Sequence, residues 1–343
     1  MAQDKGVLLI TGATGFVGFK TLLLALEAGY TVRSVIRRSE QAEKLKSHPK
    51  IVQYASQLEF AVVPDLMTPG AFDDKLENVV AILHLASPLA VESDDYNRDI
   101  IDPAVQICTS ILLSATKAPS IKRVVVTSSM VTLIPFEWLA NPDERVYTAA
   151  DINPNPTRDV SSAMEAYWTS KALARIAAHE FMKTHKPHFD LVQILPGVIN
   201  GADDRATSIL DLKENTPLWE LKLSPILGAK QPYPMVGVPI DVSDVARAHV
   251  DAVSDSVLGN KDYLLATGYS EGVVWDSMID VVQRVFPDEC RNGRLPLGGT
   301  LPTTKWAVDC GETETAFGWK FRSFEDTIER SIGQYISLLD AQR

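Results

Sequence analysis

The chain has 343 residues, 45% hydrophobic and 22% charged, a balance that suits a soluble globular protein with one large core and a smaller lobe beside it. Its net charge of -11 argues against nucleic acid and anionic membrane as partners. Cys108, Cys290 and Cys310 have no metal-site spacing and suggest no disulfide framework, which fits a reducing compartment. The opening Met1–Gly6 leads into an apolar run too short for a signal peptide, no later run reaches transmembrane length, and Leu339–Arg343 carries no recognisable address. A cytoplasmic protein is expected.

Val7-Leu-Leu-Ile10 reads as a buried strand. It is followed at once by Thr11-Gly-Ala-Thr-Gly-Phe-Val-Gly18 and an apolar, helix-like stretch to Ala28. Strand, glycine turn and helix are the context in which such glycines hold a dinucleotide. Gly12 permits the tight turn, Gly15 lets the backbone approach a pyrophosphate, and Gly18 lets the helix pack close to the strand. Thr14, Phe16 and Val17 share the helix N-terminus, where free N–H groups and a partial positive charge face the phosphates. The glycines are spaced G-x-x-G-x-x-G, not the G-x-G-x-x-G of many dehydrogenases. The competing explanation is a turn that uses glycine for geometry alone.

The second strand, Tyr30 to Ile36, ends in Arg37-Arg38, and no acid stands between Gly29 and Ser39 to accept from a ribose 2′-hydroxyl. A planar guanidinium suits a 2′-phosphate, so NADP(H) is favoured over NADH, with Arg37 ahead of Arg38. A solvated basic turn is the alternative. Gln41 to Lys46 reads as a short polar helix. Phe60 to Leu66 reads as a third strand whose Asp65 either accepts from an adenine amino group or caps the next turn, with Leu66 beside it. A fourth strand, Val79 to Pro88, places Leu85, Ala86 and Ser87 along the cofactor's middle, the last two small enough for close approach. His84, inside this apolar run, reads as a core histidine. Asp99 to Ala118 is helical, with Pro103 in its first turn.

The fifth strand, Arg123-Val-Val-Val-Thr-Ser-Ser129, delivers Thr127, Ser128 and Ser129 to the rim of the sheet. Residues 135–156, rich in proline, asparagine and acids, read as a loop or lid. A helix from Ala163 to His185 carries Tyr167 and Lys171 on one face, one turn apart. Phe189 to Leu195 is a sixth strand, ended by Pro196-Gly197. The alternation implies an α/β fold, a doubly wound parallel sheet of Rossmann type with a smaller C-terminal substrate lobe. Residues 1–200, joined by about 239–268, form the NADP(H)-binding unit; 201–238 and 269–343 form the lobe. Val242 to Val253, Trp275 to Phe286 and Ser323 to Leu339 read as helices, and Tyr263 to Ala266 as a strand returning to the sheet.

Hydride delivered to a carbonyl carbon leaves charge on oxygen that a proton must meet. Tyr167 is placed to donate it and Ser129 to hydrogen-bond the same oxygen, with Ser128 nearer the cofactor. A free phenol titrates near pH ~10; an ammonium one helical turn away lowers that value and can also bond the nicotinamide ribose. Of the nine tyrosines, only Tyr167 has a lysine four residues on, which separates it from a chance pair on a helix surface.

Together these residues resemble the extended short-chain dehydrogenase/reductase family, more narrowly its dihydroflavonol-reductase-like branch with the fungal and yeast aldehyde/ketone (methylglyoxal-type) reductases. The likeness runs nearly end to end, through Val63–Leu66, His84–Pro88, Val125–Ser129, Tyr167–Lys171, Lys186–Phe189, Ile240–Ala246 and Phe317–Arg322. It implies catalytic roles for Ser129, Tyr167 and Lys171, NADPH as cofactor through Arg37, and cofactor contacts at Asp65, Leu66, Pro196, Val198 and Ile199. Relatives often carry a lysine near Gln41, absent here, and the resemblance then implies Arg38 as the second 2′-phosphate contact. Met130, Ile134 and Val198, with Trp168 and Trp219 nearby, suggest an apolar or bulky aldehyde or ketone. The alternatives are a sugar-nucleotide epimerase, whose Thr-Val-Tyr-Gly after the serine is here Val131-Thr-Leu; a non-catalytic redox-sensing regulator, which commonly lacks the Tyr/Lys pair; and a thioester reductase. The expected partner is a small-molecule carbonyl substrate, and the assembly a monomer or homodimer.

Overall fold

The computed structural model describes residues 5–342; Met1–Asp4 and Arg343, on which the reading of the termini partly rests, lie outside them. The apolar runs Val7–Thr11 (β1), Thr31–Ile36 (β2), Leu58–Val62 (β3), Val79–His84 (β4), Arg123–Thr127 (β5) and Asp190–Pro196 (β6) become parallel strands. With Lys261–Leu265 they form one seven-stranded sheet, in the order Lys261–Leu265, β6, β5, β4, β1, β2, β3. Alternate residues leave opposite faces. Leu8, Ile10, Leu83, Val125 and Ile194 pack beneath helix Phe16–Glu27 (α1) and helix Val242–Asp251. Leu9, Ile82, Val124, Val126 and Leu191 face Ile107, Ile111, Ala178 and Phe181 on the other side.

The short helix Glu40–Lys46 (α2) follows β2. The long helix expected from Asp99 begins as a π-type turn, Asn97–Ile101, and continues as α3, Asp102–Ala115, with Pro103 where its missing N–H costs nothing. Ala163–His185 (α4) has the bounds the sequence suggests, for local reasons. Ser162 caps it by accepting from the Glu165 N–H, and Glu165 reaches back to Ser161. Lys186, left-handed at φ 44°, and Pro187 end it. Its inner face carries small residues, Ala166, Ser170 and Ala178, which let it pack closely on α3.

Two expectations shift. β3 stops at Val62, because Pro64 offers no N–H and Asp65 folds its carboxylate onto the Met67 N–H and Thr68 hydroxyl. β4 stops at His84, since the Leu85 and Ala86 N–H groups turn to the Thr11 hydroxyl. Residues 135–156 form a largely irregular loop that is anchored to the rest of the fold: Trp138 and Tyr147 are buried, and Tyr147 pairs with Val308. Beyond residue 200 a further hydrophobic cluster gathers Leu212, Trp219, Ile226, Trp275, Met278 and Ile328. No described helix is long and apolar enough to cross a membrane.

Candidate active site

The sheet's order places β1 against β4, with later connections leaving on opposite sides. Ligands of open α/β sheets bind at such a switch point, beyond the carboxyl ends of the strands. In register, Thr11 pairs with His84, and His84 with Val126, so the glycine turn, Leu85–Ser87 and Ser128–Ser129 emerge at one level.

Gly12 has φ +76°, a conformation that suits glycine. A Cβ on it would sit 2.9 Å from the Ala86 nitrogen, and one on Gly18 only 2.0 Å from the Gly12 carbonyl oxygen. The turn is therefore clasped between α1 and the end of β4, with Thr14 exposed, Phe16 buried and Val17 half-buried. This cradle fits a dinucleotide's pyrophosphate. The Thr11 hydroxyl accepts from the N–H groups of Leu85 and Ala86, both at 3.1 Å, leaving its proton for His84 Nδ1 at 2.9 Å. Burial lowers the His84 pKa to about 3, so it is the neutral core histidine the sequence suggests.

Arg37 and Arg38 stand in solvent just past β2. Gln41 Oε1 accepts from both backbone N–H groups, at 2.9 and 3.2 Å, and among the described residues neither guanidinium has an ion pair. Both are free to meet a phosphate. The Asp65 carboxylate caps the turn after β3, accepting from the Met67 N–H and the Thr68 hydroxyl, and Leu66 is buried beside it.

At the chemical end, the Ser128 N–H bonds the Ile194 carbonyl at 2.8 Å, while its hydroxyl is buried without a partner among the described residues. Ser129 heads the short turn Met130–Leu133, where its hydroxyl accepts from the Val131 N–H at 3.4 Å, and it draws the Tyr167 phenol's pKa down. Lys171 Nζ lies 5.8 Å from the Tyr167 ring centre and donates to the Thr127 carbonyl at 3.4 Å. Burial lowers the lysine to about 8. Burial also raises the Tyr167 phenol above its ordinary value, outweighing the downward pull of Ser129. The lowering expected from Lys171 does not dominate, because burial of the phenol outweighs it. The Thr127 hydroxyl lies 2.6 Å from His249 Nε2, whose Nδ1–H donates to the Val245 carbonyl.

Arg175, unnoticed in the sequence, stands one turn beyond Lys171 on the same helix face. Its buried guanidinium donates to the Thr132 hydroxyl, the Ala149 and Asp151 carbonyls and the Asp262 carboxylate. It pins the 135–156 loop beside the site. The i, i+4 spacing from Lys171 was the available signal. Met130, Ile134 and Trp168 share one buried cluster, where Trp168 stacks on Trp306 at 6.1 Å. Trp219 belongs to another cluster, against Tyr335, with Val198 at its edge. Pro196 ends β6; Val198 and Ile199 continue in the strand Val198–Asn200, paired with Pro239–Asp241. All three cysteines are free, and no described cluster could hold a metal ion.

Residues 8–197 match the model of the NAD dependent epimerase/dehydratase family. Ketoreductase CTB6 of Cercospora nicotianae is 35% identical over 97% of this chain and 95% of its own length. Ketoreductase sphI of Aspergillus fumigatus is 31% identical over 96% and 97%. The structure of yeast methylglyoxal/isovaleraldehyde reductase Gre2 complexed with NADPH superposes with a TM-score of 0.80 at 25% identity, covering 98% of this chain and 99% of that one. The chain belongs to the NAD dependent epimerase/dehydratase family, among its ketoreductase- and aldehyde-reductase-like members.

Proposed function

We propose that this protein reduces the carbonyl of an aldehyde or ketone to an alcohol, using NADPH. The observation that carries the proposal is the meeting of Ser129, Tyr167 and Lys171 beside the glycine turn. Similarity to two ketoreductases and to a reductase complexed with NADPH supports it.

Gly12, Gly15 and Gly18, with Thr14, Phe16 and Val17, would hold the pyrophosphate; Arg37 and Arg38 the 2′-phosphate; Asp65 and Leu66 the adenine end. Leu85, Ala86, Ser87, Thr127, Ser128, Pro196, Val198 and Ile199 would line the ribose and nicotinamide. NADPH, when bound, supplies the hydride. The protein's part is position and protons. Tyr167 donates its proton to the carbonyl oxygen while Ser129 hydrogen-bonds that oxygen. Lys171 bonds the ribose and stabilises the phenolate as the proton leaves. The unit 1–200 with 239–268 carries these groups, and 201–238 with 269–343 supplies the substrate lobe. Met130, Ile134, Trp168, Val198 and Trp219 would favour an apolar or bulky carbonyl.

Oxidation of NADPH and of NADH, followed by absorbance with a panel of small and bulky aldehydes and ketones, tests the proposal. Turnover with NADPH, faster for the bulky apolar members, is expected. A protein that binds neither nucleotide would overturn the proposal; equal turnover of small polar carbonyls would overturn the substrate preference.

A further inference from the structure

Two cations from beyond position 200, Arg205 and Lys222, lie against Phe16 beside the glycine turn, and among the described residues only Arg205 is paired with a carboxylate. Lys222, at the end of the short helix Trp219–Lys222, is 2% exposed. Its ammonium donates to the Ile199 carbonyl at 2.7 Å and lies 5.7 Å from the centre of the Phe16 ring, in the first turn of α1. Arg205 lies 5.9 Å from the same ring and donates to the Thr14 carbonyl at 3.1 Å. The neighbouring carboxylates are already committed. Asp203 takes two hydrogen bonds from the Arg205 guanidinium and one from the Thr216 hydroxyl. Asp204 is held by Lys20 and Lys50.

Among the described residues no carboxylate hydrogen-bonds Lys222. A buried ammonium without a bonded counter-ion is strongly disfavoured, and the partly positive N-terminus of α1 adds to the cost. Burial accordingly lowers the Lys222 pKa to about 7, with only a weaker upward pull from Asp203. The position calls for an anion. Its neighbour Phe16, and the Thr14 carbonyl held by Arg205, belong to the turn that suits a pyrophosphate, which favours that group over an acidic substrate.

We propose that Lys222 is a cofactor-binding residue that reaches over the glycine turn and neutralises the pyrophosphate of NADP(H), with Arg205 fixing its segment to the turn. The inference rests on the reductase reading for its cofactor.

Nucleotide titration of Lys222→Met, with thermal unfolding of the free protein alongside, tests it. The methionine variant should be at least as stable as wild type when free, because it removes an uncompensated buried charge. Its dissociation constants for NADP+ and ADP should rise about 10–100-fold, the loss of a charge-assisted hydrogen bond. Adenosine 2′-phosphate, which lacks the pyrophosphate, should bind unchanged. Lys222→Arg should recover most of the NADP+ affinity, and Lys222→Gln repeats the measurement should the methionine variant not fold. Unchanged NADP+ and ADP binding in the neutral variants would overturn the inference. So would a loss confined to the KM of carbonyl substrates bearing an acid, which would assign the ammonium to substrate. Wild type binding no nucleotide at all would overturn the reductase reading, and this inference with it.

Discussion

Gly15 separates the requirements of the fold from those of a bound nucleotide. It lies at φ -82°, ψ 173°, a conformation open to any residue, and a Cβ built on it meets only the Gly12 carbonyl oxygen, at 3.2 Å. In Gly15→Ala that oxygen must yield by a few tenths of an ångström, while the unfolded chain loses freedom worth about 0.4–1 kcal/mol. The free protein should therefore unfold within about 1 kcal/mol of wild type. The methyl otherwise points into open space, where the proposed pyrophosphate approaches the backbone. Losing one or two hydrogen bonds to charged phosphate, about 1.5–3 kcal/mol each, raises the NADPH dissociation constant roughly 10-fold or more. Gly18→Ala is the contrast. Its methyl would lie 2.0 Å from the Gly12 oxygen, so α1 must lift and both stability and binding should fall. Thermal unfolding of each free variant, paired with fluorescence titration of NADPH, reads the two effects apart. NADPH bound by Gly15→Ala as tightly as by wild type would refute the pyrophosphate role.

Arg37→Ala should weaken NADPH about 10-fold and leave NADH unchanged, measured by titration, since it removes a charge-assisted contact from the 2′-phosphate alone. Arg175→Met should destabilise the protein by about 3–5 kcal/mol in urea unfolding, because it leaves the largely buried Asp262 carboxylate with His179 as its remaining ion partner. Protease sensitivity in residues 135–156 should rise with it. Burial holds His84 at about 3 and His249 at about 4 in the folded chain, against an ordinary 6.5. As the pH falls below 6.5 the unfolded chain takes up these protons first, so this stabilisation is complete above pH 6.5 and is lost progressively towards the folded values. Asp244, raised to about 6, works the other way with one proton against two. Urea midpoints should therefore fall between pH 6.5 and 4, and a flat profile would contradict the account.

The sheet was legible because each strand buried on both faces is a continuous apolar run, and α4 because its cap, stop and helical spacing all lie within the sequence. The glycine turn, Ser129, Tyr167 and Lys171 were legible for the same reason: strand ends and a helix turn fix their direction. The ends of β3 and β4 were not, because the Asp65 turn and the Thr11 hydroxyl redirect the backbone through contacts that local patterns do not encode. Arg175, Arg205 and Lys222 were missed because their significance lies in partners far along the chain. Arg205 reaches Thr14, and Lys222 a ring at Phe16. Trp168 and Trp219 look alike in sequence, yet tertiary packing sends them to different clusters.

In the proposed reaction Tyr167 gives a proton to the reacting oxygen. Single-turnover reduction of a carbonyl substrate by the NADPH-loaded protein, wild type against Tyr167→Phe, tests it most directly. The variant keeps the ring and loses only the hydroxyl. The account predicts a fall of roughly 10²–10⁴-fold in the chemical step, with NADPH affinity nearly unchanged. A Tyr167→Phe protein that reduces the substrate at the wild-type rate would contradict it.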